Sequence, residues 1–371
     1  MNSLPALLIG GPPHCGKSVL SHSLSQALIS RKCEHYVLRV APDGEGHYSQ
    51  EADAQLVKHL RVKHLWTESW IEAQCRYIAG RPVPLIVDMG GRPDQRSLAL
   101  FDQCTHALLL TRDDAAQQAW NGYATAHGLQ VIADVTSVQG SEGRLVQREP
   151  VIRGTLANLT RNAPATGVVF DALVERVAAL FSITPEQLRQ AHFGSAPFGN
   201  EIVIVDFLAL ARRMYPRDPL HHFQLEDVDK ILAAVPADGP IAAYGRMPMW
   251  LAGIISRERD VRWHFDMRNG NGWVQPATPT MCEAGDASFA QQPFVDIQLE
   301  VDSANRQTAL TLYPAGSNLN IEDAHKVLLP YVGPEQHLVI KGPVPYWLLS
   351  GMVKAYAHCA SVRALQVQQQ G

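Results

Sequence analysis

Apolar residues along this chain fall into short continuous runs separated by stretches that repeat every three to four positions, the pattern of buried strands joined by helices. Leu7-Leu8-Ile9 is the first run and ends in Gly10-Gly11; Val19, Leu20, Leu24 and Leu28 follow at helical spacing after Ser18. Tyr36-Val37-Leu38-Arg39-Val40, Pro84-Leu85-Ile86-Val87, Ala107-Leu108-Leu109-Leu110-Thr111 and Leu129-Gln130-Val131-Ile132-Ala133 read as further strands, with Asp113 and Asp114 opening a helix. This order predicts an α/β fold whose first domain, residues 1–190, is a three-layer unit around a parallel sheet. Residues 139–167 are rich in Gly, Ser, Thr, Asn, Pro and Arg and read as a surface excursion or linker. Phe170 to Phe181 then reads as an amphipathic helix closing the domain, and Thr184-Pro185-Glu186 opens another.

Beyond Pro197-Phe198-Gly199-Asn200 the chain repeats itself. Leu225-Glu226-Asp227-Val228-Asp229-Lys230-Ile231-Leu232 followed by Gly245-Arg246-Met247-Pro248-Met249-Trp250-Leu251 has a partner. That partner is Ile321-Glu322-Asp323-Ala324-His325-Lys326-Val327-Leu328 followed by Gly342-Pro343-Val344-Pro345-Tyr346-Trp347-Leu348. Lys230 and Lys326 are 96 residues apart and Trp250 and Trp347 are 97 apart, so the register holds to one residue. Two tandem α/β repeats, 198–290 and 291–371, are expected, each running strand, helix, strand, Pro-x-Trp-Leu turn, helix, strand. Pairing the two would bury their apolar faces and form a cleft at a shared pseudo-twofold axis.

With 46 % hydrophobic and 18 % charged residues, both halves of the 371-residue chain have enough apolar surface to form a core. A formal net charge of −4 argues against a protein that coats long nucleic acid. No apolar run reaches the roughly 20 residues needed to span a bilayer, and the first residues carry no secretory pattern, so no membrane partner and a cytoplasmic location are expected. The six cysteines form no CxxC pair, which predicts reduced thiols rather than a zinc site or a disulfide framework.

Gly11-Pro12-Pro13-His14-Cys15-Gly16-Lys17-Ser18 matches GxxxxGK[ST] and lies between a buried strand and an amphipathic helix, the context that nucleoside-triphosphate binding needs. Gly11 and Gly16 let backbone N–H groups close around phosphate, Lys17 neutralises the β and γ phosphates, and Ser18 offers a hydroxyl to Mg²⁺. Asp88, at the end of a second apolar run and before Gly90-Gly91, is the expected acid of the metal shell. ATP and Mg²⁺, with Mn²⁺ as an alternative metal, are the implied cofactors. Asp43 and Glu45 lie in a glycine-rich loop after the second strand, where an acid would handle a phosphate acceptor or merely form a turn. Arg144, Arg148, Arg153 and Arg161 read as solvated charge, and Trp66, Trp70 and Trp120 as packing residues.

The block Gly245 to Leu251, followed by Phe265-Asp266-Met267-Arg268, resembles the CRISPR-associated ring nucleases of the Csx-three family, which carry Gly-Arg-x-Pro-x-Trp-Leu and a later Asp-x-Arg. The opening P-loop looks like the AAA-type nucleotide-binding domain fused to some members. The resemblance implies binding of cyclic oligoadenylate, the second messenger of type III CRISPR defence and here the tetra-adenylate, its cleavage to linear products, and a homo-oligomer. It places Asp266 and Arg268 at the scissile phosphodiester and Arg246 at the ligand-facing turn. By residue count Arg257 stands where the family has a catalytic histidine, with Lys354 at that position in the second repeat. The second repeat has Pro343 in place of Arg246 and Val362-Arg363-Ala364-Leu365 in place of Asp-x-Arg. His264 and His358 lie nearby and read as structural. Losing a general acid or base typically costs about 10² to 10⁴ in rate while arginines still grip phosphate. Two readings follow: a ring nuclease joined to an ATP-binding domain, and a catalytically weakened sensor that controls ATP hydrolysis or phosphoryl transfer in front. A kinase with a dimerising tail is a third.

Overall fold

The computed structural model describes all residues except 1–3, 41–66, 92, 141, 162, 219–221, 268–271, 291, 316–318, 320 and 366–371. Arg268, Asp43, Glu45 and Trp66 therefore lie outside the described residues. The chain divides into two compact units, Met1–Ser195 and Ala196–Gly371. No described helix is long and apolar enough to cross a membrane.

The first unit is α/β. Its strands are β1 (Ala6–Gly10), β2 (Tyr36–Val40), β3 (Leu85–Met89), β4 (His106–Thr111), β5 (Gln130–Val138), β6 (Arg144–Gln147) and β7 (Ile152–Ala157). They form one sheet in the order β2-β3-β1-β4-β5-β7-β6, parallel except for β6, which pairs antiparallel with β7. The helices are α1 (Lys17–Ser30), α2 (Glu68–Ala79), α3 (Asp114–Ala126), α4 (Val168–Leu180) and α5 (Pro185–Gly194). Period-two alternation divides the apolar residues of β1 between two cores. Leu7 and Ile9 pack with Leu20, Leu24 and Leu28 of α1 and with Leu173 and Val177 of α4. Ala6 and Leu8 pack on the other face with Ile71 and Ile78 of α2, Phe101 and Trp120. A strand covered on both faces has to be apolar at every position, which is why the first run reads as unbroken.

Residues 139–167 are not a plain linker, since they contain β6 and β7. The pattern hid them because β6 exposes alternate residues to water, β7 is interrupted by the exposed Arg153 and partly buried polar positions, and Pro150 separates the two, so no apolar run forms. Arg144, Arg148 and Arg153 are exposed, and Arg148 pairs with Glu175 at 2.6 Å, which agrees with solvated charge. Trp120 is buried among packing residues, which agrees with the packing role read from the sequence.

The second unit carries β8 (Val203–Asp206), α6 (Phe207–Met214), α7 (Val228–Ala233), β9 (Pro240–Tyr244), α8 (Met249–Glu258), β10 (Asp260–Asp266), β11 (Gly272–Val274) and β12 (Thr280–Met281). It continues with β13 (Val295–Asp302), β14 (Gln307–Pro314), α9 (Ile321–Ala324), β15 (Leu328–Leu329), β16 (His337–Lys341), α10 (Tyr346–Ala355) and β17 (Ser361–Leu365). One sheet has the order β11-β10-β9-β8 and another β13-β14-β16-β17. Each contains a parallel trio, β8-β9-β10 or β14-β16-β17, with one antiparallel strand added, but on opposite edges of the two trios.

Both repeats contribute to a single hydrophobic core. The two helices exchange partners. α8 and α10 pack on each other, α8 lies against β17 of the second repeat and α10 reaches β10 of the first. The Pro-x-Trp-Leu segments are helix starts, because Pro248 and Pro345 sit in extended backbone as N-caps and each tryptophan falls in the first turn of its helix. The preceding glycines have to be glycine: Gly245 and Gly342 have φ of 92° and 112°, and a Cβ on Gly342 would lie 2.0 Å from the Leu312 carbonyl oxygen.

Candidate functional site

The P-loop connects the end of β1 to α1, at the carboxyl edge of the first unit's sheet, where ligands of open parallel sheets bind. Gly11 has φ of 150°, and a Cβ there would meet the Leu110 carbonyl oxygen at 1.9 Å; Gly16 caps α1 with φ of 95°. The loop thus runs tightly against the end of β4, and Arg112 braces its tip by donating to the His14 carbonyl. Gly16 supplies no side-chain cap and α1 has no acid in its first turn, so nothing in the helix start repels an anion. The Cys15 thiol is buried in the loop and donates to the Pro12 carbonyl oxygen at 3.0 Å. Burial pushes its pKa up, so it serves packing rather than nucleophilic chemistry.

Lys17 is buried and its Nζ donates to the Pro12 carbonyl oxygen at 2.8 Å, folded back over the loop it would share with a triphosphate. Ser18 and Asp88 come together as well. β3 lies directly beside β1, with Asp88 in register with Ile9, and a guanidinium that sequence reading did not single out joins the two oxygens. Arg39 donates to Ser18 Oγ at 2.5 Å and to Asp88 Oδ2 at 3.3 Å. A positively charged nitrogen within reach of both shows that hydroxyl and carboxylate flank a position suited to a cation. Both are hard oxygen donors, as Mg²⁺ or Mn²⁺ prefers, and a nucleotide's metal takes its other ligands from phosphate and water. Among the described residues no three His, Cys, Asp or Glu side chains gather into a metal cage. The signal for Arg39 was an arginine one residue from the end of an otherwise apolar strand.

In the second unit, Arg246 and Asp266 leave the carboxyl ends of neighbouring parallel strands, β9 and β10, and so share one edge of the sheet. The starts of α8 and α10 meet at that edge: the Tyr346 hydroxyl accepts from the Met247 N–H at 3.2 Å and donates to the Met247 carbonyl. Trp347 Nε1 donates to Asp266 Oδ2 at 2.7 Å. The tryptophan of one repeat thus fixes the acid of the other. Two helix N-termini, an exposed arginine and an oriented carboxylate form a surface suited to a phosphodiester.

Arg257 is elsewhere. It lies at the C-terminal end of α8, which runs antiparallel to β10, whereas Asp266 is the last residue of β10, about 20 Å further along at some 3.3 Å per residue. Arg257 is paired with Glu258 at 3.7 Å. Lys354 is at the same far end, donating to the Val261 carbonyl oxygen at 2.7 Å. One chain therefore does not bring Arg257 to Asp266.

His264 belongs to the core. Its Nε2 and the Ser350 hydroxyl are 2.6 Å apart, and Ser350 in turn bonds Ser256 at 2.5 Å, linking β10, α10 and α8. Ser350 stands three residues after its Trp, as Gly253 does in the first repeat, and His264 pairs with β9 where Ala364 pairs with β16. The pseudo-twofold mate of the histidine contact is thus Gly253 against Ala364, so close that a Cβ on Gly253 would lie 2.7 Å from the alanine Cβ. Burial, helped by the charge of Lys354, pushes the His264 pKa down to about 3 from 6.5. Below the unfolded value the unfolded chain gains a proton that the folded unit does not accept until about pH 3. Stability therefore falls as pH drops through that window, by up to about 1.4 kcal/mol per pH unit. Urea unfolding of the full chain between pH 4 and 7 is expected to show this slope, and His264→Leu to flatten it; an unaltered slope would remove His264 as its cause.

No family model matches this chain, and no curated protein sequence matches it significantly.

Proposed function

We propose that this is a two-part nucleotide-signalling protein. The first unit binds ATP with Mg²⁺, and the second is a receptor for cyclic oligoadenylate, of the size of the tetra-adenylate, that governs turnover of the ATP. The cyclic messenger ties the protein to type III CRISPR defence, and a homo-oligomer is the working assembly. The observation that carries the first half is the grouping of Lys17, Ser18, Asp88 and the bare start of α1 around one loop. The second half is supported by the start of α10, where Trp347 bonds Asp266 and Tyr346 bonds Met247 of the block at 245–251, so that one helix start touches both motifs of the resemblance.

Lys17 holds the β and γ phosphates and Ser18 and Asp88 hold Mg²⁺, which supplies charge neutralisation along the triphosphate. Arg246 and the starts of α8 and α10 hold the phosphates of the ring, and Asp266 is oriented by the indole. The separation of Arg257 from Asp266 favours a receptor over a fast nuclease, because the residue that stands at the catalytic-histidine position of the resemblance lies at the far end of β10 from the carboxylate. Labelled cyclic tetra-adenylate is expected to bind the purified protein, and Asp266→Ala or Arg246→Ala to weaken binding by about tenfold or more. ATP hydrolysis is expected to change when the ring is added. Neither binding nor turnover of the ring would overturn the second half, and an ATPase rate indifferent to a tightly bound ring would overturn the coupling. Conversion of the ring to linear products at many turnovers per minute would replace the receptor with a nuclease.

A further inference from the structure

Asp88 and Arg39 are cross-strand neighbours, paired in register between β3 and β2. Their side chains are 6 % and 15 % exposed, so the carboxylate is held in a largely dry place where charge needs a counter-charge. The same guanidinium nitrogen that meets Asp88 also donates to Ser18 Oγ, across the mouth of the P-loop. Those two oxygens are the ones a divalent cation would take with a triphosphate. A guanidinium and a divalent cation cannot share them, because the like charges would stand about 4 Å apart, repelling by several kcal/mol even in a protein-like dielectric.

We propose that Arg39 is the resident cation of the nucleotide site, a guanidinium that holds Ser18 and Asp88 until the divalent cation arrives with the triphosphate and then turns its donors onto phosphate oxygens. The inference rests on the P-loop reading above and deepens it. Arginine suits the exchange: its planar fork meets carboxylate and phosphate equally well, and it is never deprotonated. Lys17 Nζ donates to the loop carbonyl of Pro12.

The consequence is a site that tolerates the lack of a divalent cation. With Arg39 in place, Asp88 remains neutralised and a triphosphate binds in EDTA with reduced but measurable affinity. Without Arg39, the carboxylate loses the guanidinium that neutralises it, and the divalent cation takes a larger share in offsetting its repulsion of the triphosphate. The readout is the ratio of ATP dissociation constants in EDTA and in Mg²⁺, measured by calorimetry on the full chain. Arg39→Met and Arg39→Gln are both expected to raise that ratio about tenfold or more over the unsubstituted protein, whereas Arg39→Lys keeps it within about threefold. Adding Asp88→Asn to Arg39→Met removes the repelling charge and brings the ratio back. Thermal unfolding confirms that each variant is folded before it is titrated. An unchanged ratio in both neutral variants, with Lys17→Ala still abolishing binding, would overturn the role of Arg39 and leave the P-loop reading intact. Binding that survives Lys17→Ala undiminished would overturn both.

Discussion

Lys17→Ala is expected to lower the affinity of the first unit for ATP at least about a hundredfold, the largest functional effect of any single change in that unit. Lys17 lies at the start of α1 and is 8 % exposed as a residue, so its ammonium would meet the β and γ phosphates of a bound ATP with little water between. At about 4 Å in a medium of effective dielectric 20 the attraction is on the order of 4 kcal/mol, of which part is offset by breaking the bond to the Pro12 carbonyl. The cost to the folded state is expected to be small, since the bond to the Pro12 carbonyl is a neutral-acceptor hydrogen bond at a loop, worth about 1 kcal/mol. Calorimetric titration of ATP with Mg²⁺, alongside a thermal melt, checks both halves. An affinity within about threefold of the unsubstituted protein would mean that the loop closes on something other than a triphosphate.

How far such results were legible beforehand differs between the units. Gly11, Gly16, Lys17 and Ser18 could be placed from the sequence because the strand before them and the helix after them each carry their own period, and the loop is local. Asp88 could be proposed but not located: that β3 lies beside β1 depends on crossovers that no local pattern encodes. Arg39 escaped attention because its partners, Ser18 and Asp88, are 21 and 49 residues away in sequence. β6 and β7 were hidden because both are short and only partly buried, and apolar patterning is weak in such strands. In the second unit the duplication was plain, with two Pro-x-Trp-Leu blocks at matched spacing. The exchange of helices was not, since a repeated sequence says which surfaces are alike but not which copy covers which. The spacing from Trp250 to Arg257 put that arginine in the family's histidine position. Only the direction of α8 relative to β10 shows that it points to the far end of the strand from Asp266.

That exchange makes Trp347 the residue on which the second unit should depend most. Its side chain is 1 % exposed in the shared core, and its indole also holds Asp266, so one residue serves both packing and the candidate site. Trp347→Ala is expected to destabilise the second unit by about 3–5 kcal/mol, the usual cost of the cavity left by a large aromatic. Trp347→Phe keeps most of the volume and removes the N–H donor to a carboxylate, for a smaller loss of about 1.5–3 kcal/mol. Asp266→Asn does the reverse: the amide oxygen still accepts from the indole, so urea unfolding should shift by less than about 1 kcal/mol while the charge presented to a phosphodiester is gone. If the carboxylate acts on the ring, Asp266→Asn alters its binding or cleavage in a protein of nearly unchanged stability, and Trp347→Phe alters both together. Equal loss of stability in Asp266→Asn and Trp347→Phe, with ring binding unaffected, would make the pair a packing clasp between the repeats and no part of a site.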